Sequence, residues 1–239
     1  MKTLLLLLAL TQLLLGCGDS EKKPTDYLFI GIDLSDSFPM VNELNSAHIM
    51  KLLRVSKDSL YHGAIIDVAG ISHLRYNRGY RATIEATCEQ DANDIDRIGK
   101  LTTLSSEIDS FLNILRTTRE TQGSHVFHAV ISALNGLSAY PSCDFKRVIF
   151  LSDLRENSPV FNSYKAQELA VLKNHPEKII ALLEKHYPLT HSLNGVEVIF
   201  AHQPVSESED EAFHLMSSVL KSYLSSKGAS VRITQSLQF

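Results

Sequence analysis

Apolar residues in this chain follow two patterns: short continuous runs, and longer stretches in which they recur every three or four positions. The runs at 28–32, 64–71, 148–151 and 196–201 are mostly apolar. Such runs are typical of strands that are buried on both faces of a parallel sheet covered by helices. Residues 80–87 alternate more between apolar and polar side chains, which is typical of an edge strand. The pattern therefore predicts an α/β domain.

The stretches between these runs predict helices. The clearest one extends from Ile95 to Leu115, where apolar side chains fall on every third or fourth position, as on one face of a helix. A similar stretch from Val41 to Val55 follows Pro39, a residue that suits a first helical turn. Further helices are expected at 127–137, 164–173, 176–186 and 211–225, and a last short strand at 231–233. We expect all of these elements to form one domain over residues 27–239.

Residues 1–16 indicate a targeting segment. Lys2 gives the segment a positive start, and an apolar run of about a dozen residues follows, which is too short for a transmembrane helix and suits a signal peptide. The segment ends in Leu-Leu-Gly-Cys at 14–17, which resembles a bacterial lipobox. The resemblance implies cleavage before Cys17 and acylation of that cysteine. An ordinary signal peptide followed by a coincidental cysteine is the alternative.

The lipobox also implies a location for the protein. Residues 17–26 would comprise the lipidated cysteine and a short tether of about 25–30 Å at full extension, so the domain would lie close to the membrane surface. Stable anchoring needs more than one acyl chain, and bacterial lipoproteins usually carry three. Gly18 stands where an Asp would retain a lipoprotein in the inner membrane of many Gram-negative cells. The resemblance therefore points to the outer membrane of a bacterial cell envelope.

Composition agrees with a secreted globular domain. Hydrophobic residues make up 44% of the 239 residues, enough to bury a sizeable core. The formal net charge is −4, and the sequence has no run of Lys and Arg with interleaved aromatic residues. Nucleic acid is therefore not an expected ligand.

A motif with candidate chemistry follows the first apolar run. Asp33, Ser35 and Ser37 form D-x-S-x-S directly after residues 28–32. At the carboxyl end of a buried parallel strand, side chains converge on the crevice where open α/β sheets bind ligands. One carboxylate and two hydroxyls offer three hard oxygen atoms to a small cation. Mg²⁺ suits such a site because it keeps several waters and needs only one or two carboxylates.

This motif resembles the metal-ion-dependent adhesion site of von Willebrand factor A domains. That family carries D-x-S-x-S after its first strand, a Thr on a later loop and an Asp after its fourth strand. The resemblance covers residues 27 to about 233 and implies a three-layer, Rossmann-like fold whose mostly parallel sheet has one antiparallel edge strand. It also implies that Ser124, where the family usually has Thr, and Asp153 complete the ligand set. Thr121 is a second candidate for the hydroxyl ligand of the later loop.

The resemblance implies a binding function. In the family, Mg²⁺ keeps an open coordination position that an Asp or Glu of a partner protein fills. We therefore expect a protein-binding module that holds Mg²⁺ or Mn²⁺ and is not an enzyme. A metal-assisted hydrolase is an alternative, although no general base or nucleophile is evident and G-x-S-x-G is absent. A structural lipoprotein whose site has lost its metal is another.

The segment between the second and third strands is expected beside the metal. It contains Arg and aromatic side chains that could help select an acidic partner. These rim residues are His73, Arg75, Tyr76 and Arg78. A solvated hairpin tip is the alternative interpretation. Because the tether enters at the opposite end of the sheet, we expect the metal face to point away from the membrane, towards the periplasm.

Two cysteines remain after Cys17. Cys88 follows the predicted edge strand and Cys143 precedes the fourth strand, so both are expected at the end of the sheet opposite the metal. In an oxidising compartment they are predicted to form a disulfide. Closing this loop of roughly 55 residues would contribute about 4 kcal/mol in the chain-entropy model. Two buried thiols are the alternative.

Overall fold

The computed structural model contains a six-stranded sheet with helices packed on both of its faces. The structure describes residues 23–34, 39–53, 60–71, 79–88, 93–118 and 124–237. The strands are β1 (Thr25–Asp33), β2 (Gly63–Ile71), β3 (Gly79–Ile84), β4 (Phe145–Leu151), β5 (Val196–Ala201) and β6 (Ser230–Thr234). The α-helices are α1 (Pro39–Glu43), α2 (Ser46–Leu52), α3 (Asp94–Thr117), α4 (Val126–Gly136), α5 (Ala166–Asn174), α6 (Pro176–His186) and α7 (Glu207–Ser226).

The strands lie in the order β3-β2-β1-β4-β5-β6. All neighbouring strands are parallel except β2 and β3, which are antiparallel. This arrangement confirms the predicted fold class, a three-layer, Rossmann-like α/β fold with one antiparallel edge strand. β1 and β4 run side by side in the middle of the sheet, with Ile32 opposite Leu151 near their carboxyl ends.

Two apolar layers hold the helices against the sheet. One layer lies towards α1, α2 and α3 and includes Leu28, Ile30 and Ile32 of β1. The other lies towards α4 to α7 and includes Phe150 of β4 and Phe200 of β5. Successive side chains of a strand point to opposite faces, so a strand covered on both faces needs apolar residues at nearly every position. This requirement explains why continuous apolar runs located the sheet.

The helical segment after Pro39 is interrupted, which corrects the prediction of one continuous stretch. The structure has two short helices, α1 and α2, on either side of Asn45. The Asn45 side chain accepts a hydrogen bond from the backbone N–H of His48 at 3.1 Å, so Asn45 is the N-cap of α2. Asn is among the preferred N-cap residues because its side-chain oxygen satisfies an N–H group that the helix leaves without a partner.

At the beginning of α3, an arginine makes the contacts with the rest of the domain, and the apolar side chains that predicted the helix do not. Ile95 and Ile98 belong to that pattern but are 80% and 54% exposed. Arg97, between them, is buried, and its guanidinium donates hydrogen bonds of 2.8 Å to the carbonyl oxygens of Leu60 and Glu85. Burial lowers the pKa of Arg97. The apolar side of α3 enters the core only in its later turns.

The predicted disulfide between Cys88 and Cys143 is not present, because both side chains are thiols in the structure. The strand order explains this correction. Cys88 follows β3 and Cys143 precedes β4, so both lie towards the end of the sheet opposite Asp33, but β2 and β1 separate β3 from β4. The strands β3 and β4 themselves are three strand spacings of about 4.8 Å apart, more than the Cα separation of about 4.4–6.8 Å that a disulfide permits.

Candidate metal centre

β1 and β4 end where the strand order of the sheet reverses. From β1 the chain continues to β2 on one side, whereas β4, β5 and β6 extend the sheet on the other side. In open α/β sheets, the crevice at the carboxyl ends of strands beside such a switch point is the usual ligand site. Asp33 is the last residue of β1, and Ser152 and Asp153 directly follow β4. The fold therefore brings the two predicted carboxylates to one crevice.

Hydroxyl groups surround the carboxylate of Asp33. Asp33 is 2% exposed, and its Oδ2 accepts hydrogen bonds from Ser152 Oγ at 2.8 Å and from Ser124 Oγ at 3.4 Å. The predicted hydroxyl ligand Ser124 thus lies beside Asp33. Sequence reasoning missed Ser152 as a site residue. A hydroxyl next to Asp153 at the end of a buried strand is the signal that could have identified it.

The loop after β4 makes a tight turn at Asp153. This residue is buried, and its Oδ1 accepts a hydrogen bond from the backbone N–H of Arg155 at 2.9 Å, a local bond typical of turns. Leu154 has a φ of 60°, in the left-handed region that costs a residue with a Cβ atom roughly 1–2 kcal/mol. Its side chain is fully buried, which offsets that strain. Leu154 thus adopts a conformation that Gly favours.

The same loop also positions Ser124. Asn157 forms antiparallel bridges with Ser124 on one side and with Asn162 on the other. The backbone N–H of Asn157 donates a hydrogen bond to the carbonyl oxygen of Ser124 at 2.7 Å. This small ladder connects the loop that carries Asp153 to the loop that carries Ser124. Both predicted ligands therefore depend on one continuous segment after β4.

Glu156 is a buried acid near Asp33 that sequence reasoning did not single out. It is 0% exposed, and its Oε2 accepts a hydrogen bond of 2.8 Å from the backbone N–H of Phe127, in the first turn of α4. Its Oε1 has no hydrogen-bond partner among the described residues. Burial raises the pKa of Glu156 to about 7, and the charge of Asp33 adds to the increase. Its position, three residues after Asp153, is the only sequence signal that could have identified it.

These residues fit a small, hard cation. Asp33 and Asp153 supply carboxylates, Ser124 and Ser152 supply hydroxyls, and all four are buried. In the part of the chain that the structure describes, no three His, Cys, Asp or Glu side chains form a metal-binding cluster. Any cation here would therefore rely on hydroxyl oxygens, which suit Mg²⁺ or Mn²⁺ better than softer metals. The buried Oε1 of Glu156 is a further oxygen acceptor beside this group.

Several predicted site residues lie outside the described residues. They are the motif residues Ser35 and Ser37, the alternative ligand Thr121, the acylation site Cys17, and the rim residues His73, Arg75, Tyr76 and Arg78. The strand ends on either side of this rim segment are described, and Ile71 of β2 pairs with Asp33 of β1. None of the described helices is both long enough and apolar enough to cross a membrane.

Comparison with known sequences finds no matching protein-family model and no matching curated protein. Among solved structures, similar chains include a D319A mutant of the PilB minor pilin from Streptococcus sanguinis, with 11% identity and a TM-score of 0.47. The pilus adhesin SpaC from Lactobacillus rhamnosus GG has 14% identity and a TM-score of 0.46. An aerotolerance-related membrane protein from Bacteroides fragilis, with multiple mutations to serines, has 10% identity and a TM-score of 0.37.

The extent of these matches differs. The alignment with the minor pilin covers 91% of this chain and 58% of the pilin chain. The alignment with the adhesin covers 91% of this chain but only 29% of the adhesin, and that with the aerotolerance-related protein covers 86% and 90%. This chain therefore spans little more than half of the pilin chain and less than a third of the adhesin. At these identities and TM-scores, the likeness carries no argument about function.

Proposed function

We propose that this protein is a metal-dependent protein-binding module of the von Willebrand factor A type. The observation that supports the proposal is the group of buried oxygen atoms at the ends of β1 and β4, where the Asp33 carboxylate accepts hydrogen bonds from two serine hydroxyls and the buried Asp153 follows β4. The proposed ligands are Asp33, Ser35, Ser37, Ser124 and Asp153. The Ser152 hydroxyl, which donates to Asp33, would orient that carboxylate.

The proposed cation is Mg²⁺ or Mn²⁺, and its role is to present a positive charge. A hard divalent cation held by few carboxylates stays electropositive and attracts an anionic group. We propose that this group is an Asp or Glu side chain of a partner protein. The module would bind this partner and catalyse no reaction.

We further propose that the module is lipid-anchored through Cys17 in a bacterial cell envelope, at the outer rather than the inner membrane. β1 begins at Thr25, close to the tether, and ends at Asp33. Eight residue steps of about 3.3 Å separate these two residues by about 26 Å. The metal centre would therefore face the periplasm, and the rim residues His73, Arg75, Tyr76 and Arg78 would contact the partner.

Titration calorimetry tests the metal site. The full chain, purified in detergent, should bind Mg²⁺ and Mn²⁺, and Asp33→Asn should abolish this binding because it removes the central negative charge. A matched control is Asp67→Asn, which alters another buried carboxylate on the neighbouring strand β2 and should leave metal affinity unchanged. Circular dichroism should show both variants folded. Undiminished affinity in folded Asp33→Asn would rule out this site.

Affinity capture tests the partner. The immobilised wild-type protein should retain a membrane or periplasmic protein in Mg²⁺ and release it in EDTA. The Asp33→Asn variant should retain none, and Asp67→Asn should behave as wild type. Retention that persists in EDTA, or that is equal for Asp33→Asn and the wild type, would contradict metal-dependent binding.

A further inference from the structure

Glu156 has a carboxylate whose charge its structural role does not require. One oxygen, Oε2, caps the first turn of α4 through the N–H of Phe127. The N-cap residue of this helix makes no side-chain cap bond of its own, so the helix gains from an acceptor at this place. A neutral amide or hydroxyl oxygen would accept the same hydrogen bond. The cap therefore explains one oxygen of Glu156 but neither its second oxygen nor its charge.

The second oxygen, Oε1, is buried and has no hydrogen-bond partner of good geometry among the described residues. The Ser158 hydroxyl and the backbone N–H of Val126 also act on the carboxylate and lower its pKa, but burial has the larger, opposite effect. A buried carboxylate is costly unless hydrogen bonds or an opposite charge compensate it. The dipole at the N-terminus of α4 favours an acid here, but no cationic side chain is among the groups that act on Glu156. Its neighbourhood instead includes the charge of Asp33, which is unfavourable to a second anion.

The backbone brings Glu156 close to the candidate metal ligands. Its neighbour Asn157 donates a hydrogen bond to the carbonyl oxygen of Ser124, and the hydroxyl of Ser124 donates to Asp33. The carbonyl oxygen of Glu156 accepts hydrogen bonds from the N–H and the hydroxyl of Ser163, at 2.9 and 3.1 Å. These contacts fix the backbone on both sides of Glu156, and the hydrogen bond from Phe127 holds one carboxylate oxygen at the start of α4.

We propose that Glu156 supplies an additional buried negative charge to the cation site, so that a bound divalent cation compensates Glu156 and Asp33 together. This inference rests on the proposed function, because it concerns the same metal centre. It adds a positioning residue that the D-x-S-x-S pattern does not contain. Its cap on α4 keeps the charge beside the loop of Ser124.

The test is the affinity of the full chain for Mg²⁺ and Mn²⁺ with Glu156→Gln, measured by calorimetry at pH 8. Gln keeps the size of the side chain and an oxygen that can accept from Phe127, but it removes the charge. We expect binding to weaken about tenfold or more. The matched control is Glu184→Gln near the end of α6, where Glu184 accepts a hydrogen bond from Lys227 Nζ at 2.8 Å. This control is not part of the ladder that positions Ser124 and should bind metal as the wild type does.

The outcomes separate the two proposals. If the wild type binds metal and Glu156→Gln binds it with an affinity within twofold of the wild type, the proposed role of Glu156 is overturned but the proposed metal site is not. Absence of binding by the wild type would overturn the proposed function and this inference with it. If circular dichroism in EDTA shows Glu156→Gln unfolded, Glu156→Met decides, since it also removes the charge and is close to Glu in size. A tenfold or larger loss of metal affinity in folded Glu156→Met would support the proposal, and an affinity within twofold of the wild type would refute it.

Discussion

Two buried acidic clusters lie on this sheet, and they are compensated differently. The first is centred on Asp67 in β2, which accepts hydrogen bonds from Arg81 Nε and Nη2 at 2.6 and 2.9 Å and from Tyr27 Oη at 2.7 Å. This hydrogen bonding to Asp67 raises the pKa of Arg81. The carboxylate therefore has a full positive charge from the chain itself, in the two-bond geometry that makes such pairs strong.

The second cluster consists of Asp33 and Glu156. Asp33 accepts from serine hydroxyls, and Glu156 accepts from a backbone N–H and keeps one oxygen without a hydrogen bond. Both are buried more deeply than Asp67. The comparison teaches that burial of an acid does not by itself indicate function. The Asp67 cluster carries its own counter-charge, whereas the pKa of Glu156 rises because the hydrogen bonds it accepts offset burial and the charge of Asp33 only in part.

The largest expected effect concerns the pH dependence of stability in the metal-free protein. Folding raises the pKa of Glu156 from 4.5 to about 7. Relative to the unfolded chain, this carboxyl group stabilises the fold fully below pH 4.5, and that contribution is lost as the pH rises through 7. The shift corresponds to about 3 kcal/mol. From pH 4.5 to pH 8, Glu156→Gln should therefore gain about 3 kcal/mol in free energy of unfolding relative to wild type.

Denaturant unfolding in EDTA, at several pH values, measures this difference. Comparing slopes rather than single values removes any fixed cost of burying the amide. Glu184→Gln provides the control, and its free energy of unfolding should change with pH in parallel with that of the wild type. Parallel pH profiles for Glu156→Gln and wild type would show that Glu156 is compensated like Asp67, and the contrast between the clusters would disappear.

A smaller effect is expected in the Asp67 cluster. Arg81→Ala removes the counter-charge of Asp67, whose side chain is 11% exposed while that of Arg81 is 64% exposed. Because solvent screens an exposed guanidinium, we expect a loss of about 1–2 kcal/mol rather than the larger loss of a fully buried pair. Thermal unfolding should show this loss equally with and without Mg²⁺. Loss of metal affinity in Arg81→Ala would mean that the two clusters are not independent.

The smallest effect concerns the covalent link that the sequence predicted. A disulfide between Cys88 and Cys143 would connect the segment after β3 to the segment before β4 and would contribute about 4 kcal/mol in the chain-entropy model. The structure has thiols at both positions. Adding a reductant should therefore change the melting temperature by less than about 1 °C. For comparison, a loss of 1 kcal/mol in stability lowers the melting temperature of a domain of this size by about 2–4 °C. A large fall in melting temperature when the reductant is added would show that the protein does contain the disulfide.

Local patterns in the sequence were enough to predict the strands of the sheet and some residues of the candidate metal centre. The strands could be located because each is buried on both faces, and Asp33 and Asp153 because each follows such a strand. Ser124 could be found because the A-domain pattern expects a hydroxyl there. Each of these inferences uses neighbouring residues or a known spacing, which a single sequence contains.

The contacts that sequence analysis missed depend on distant parts of the chain. Glu156 meets the N-terminus of α4, 29 positions earlier, and this pairing follows from the path of the loop after β4. Arg97 replaces the apolar contacts expected of Ile95 and Ile98, because carbonyl oxygens before β2 and after β3 converge on its guanidinium. The disulfide prediction failed because it considered which end of the sheet each cysteine reaches but not the strands between them.

Leu154 links the candidate metal centre to the interior of the domain. Its backbone adopts a left-handed conformation next to Asp153, while its side chain belongs to the apolar layer beneath α4 to α7. A glycine would leave this turn free to relax, but the anchored leucine holds it in shape before any ligand arrives. Binding of a cation would therefore cost little entropy for ordering the turn. If the apolar layer loosened, the turn would lose its shape, so cation affinity would be lost at a lower temperature or denaturant concentration than the one that unfolds the whole domain.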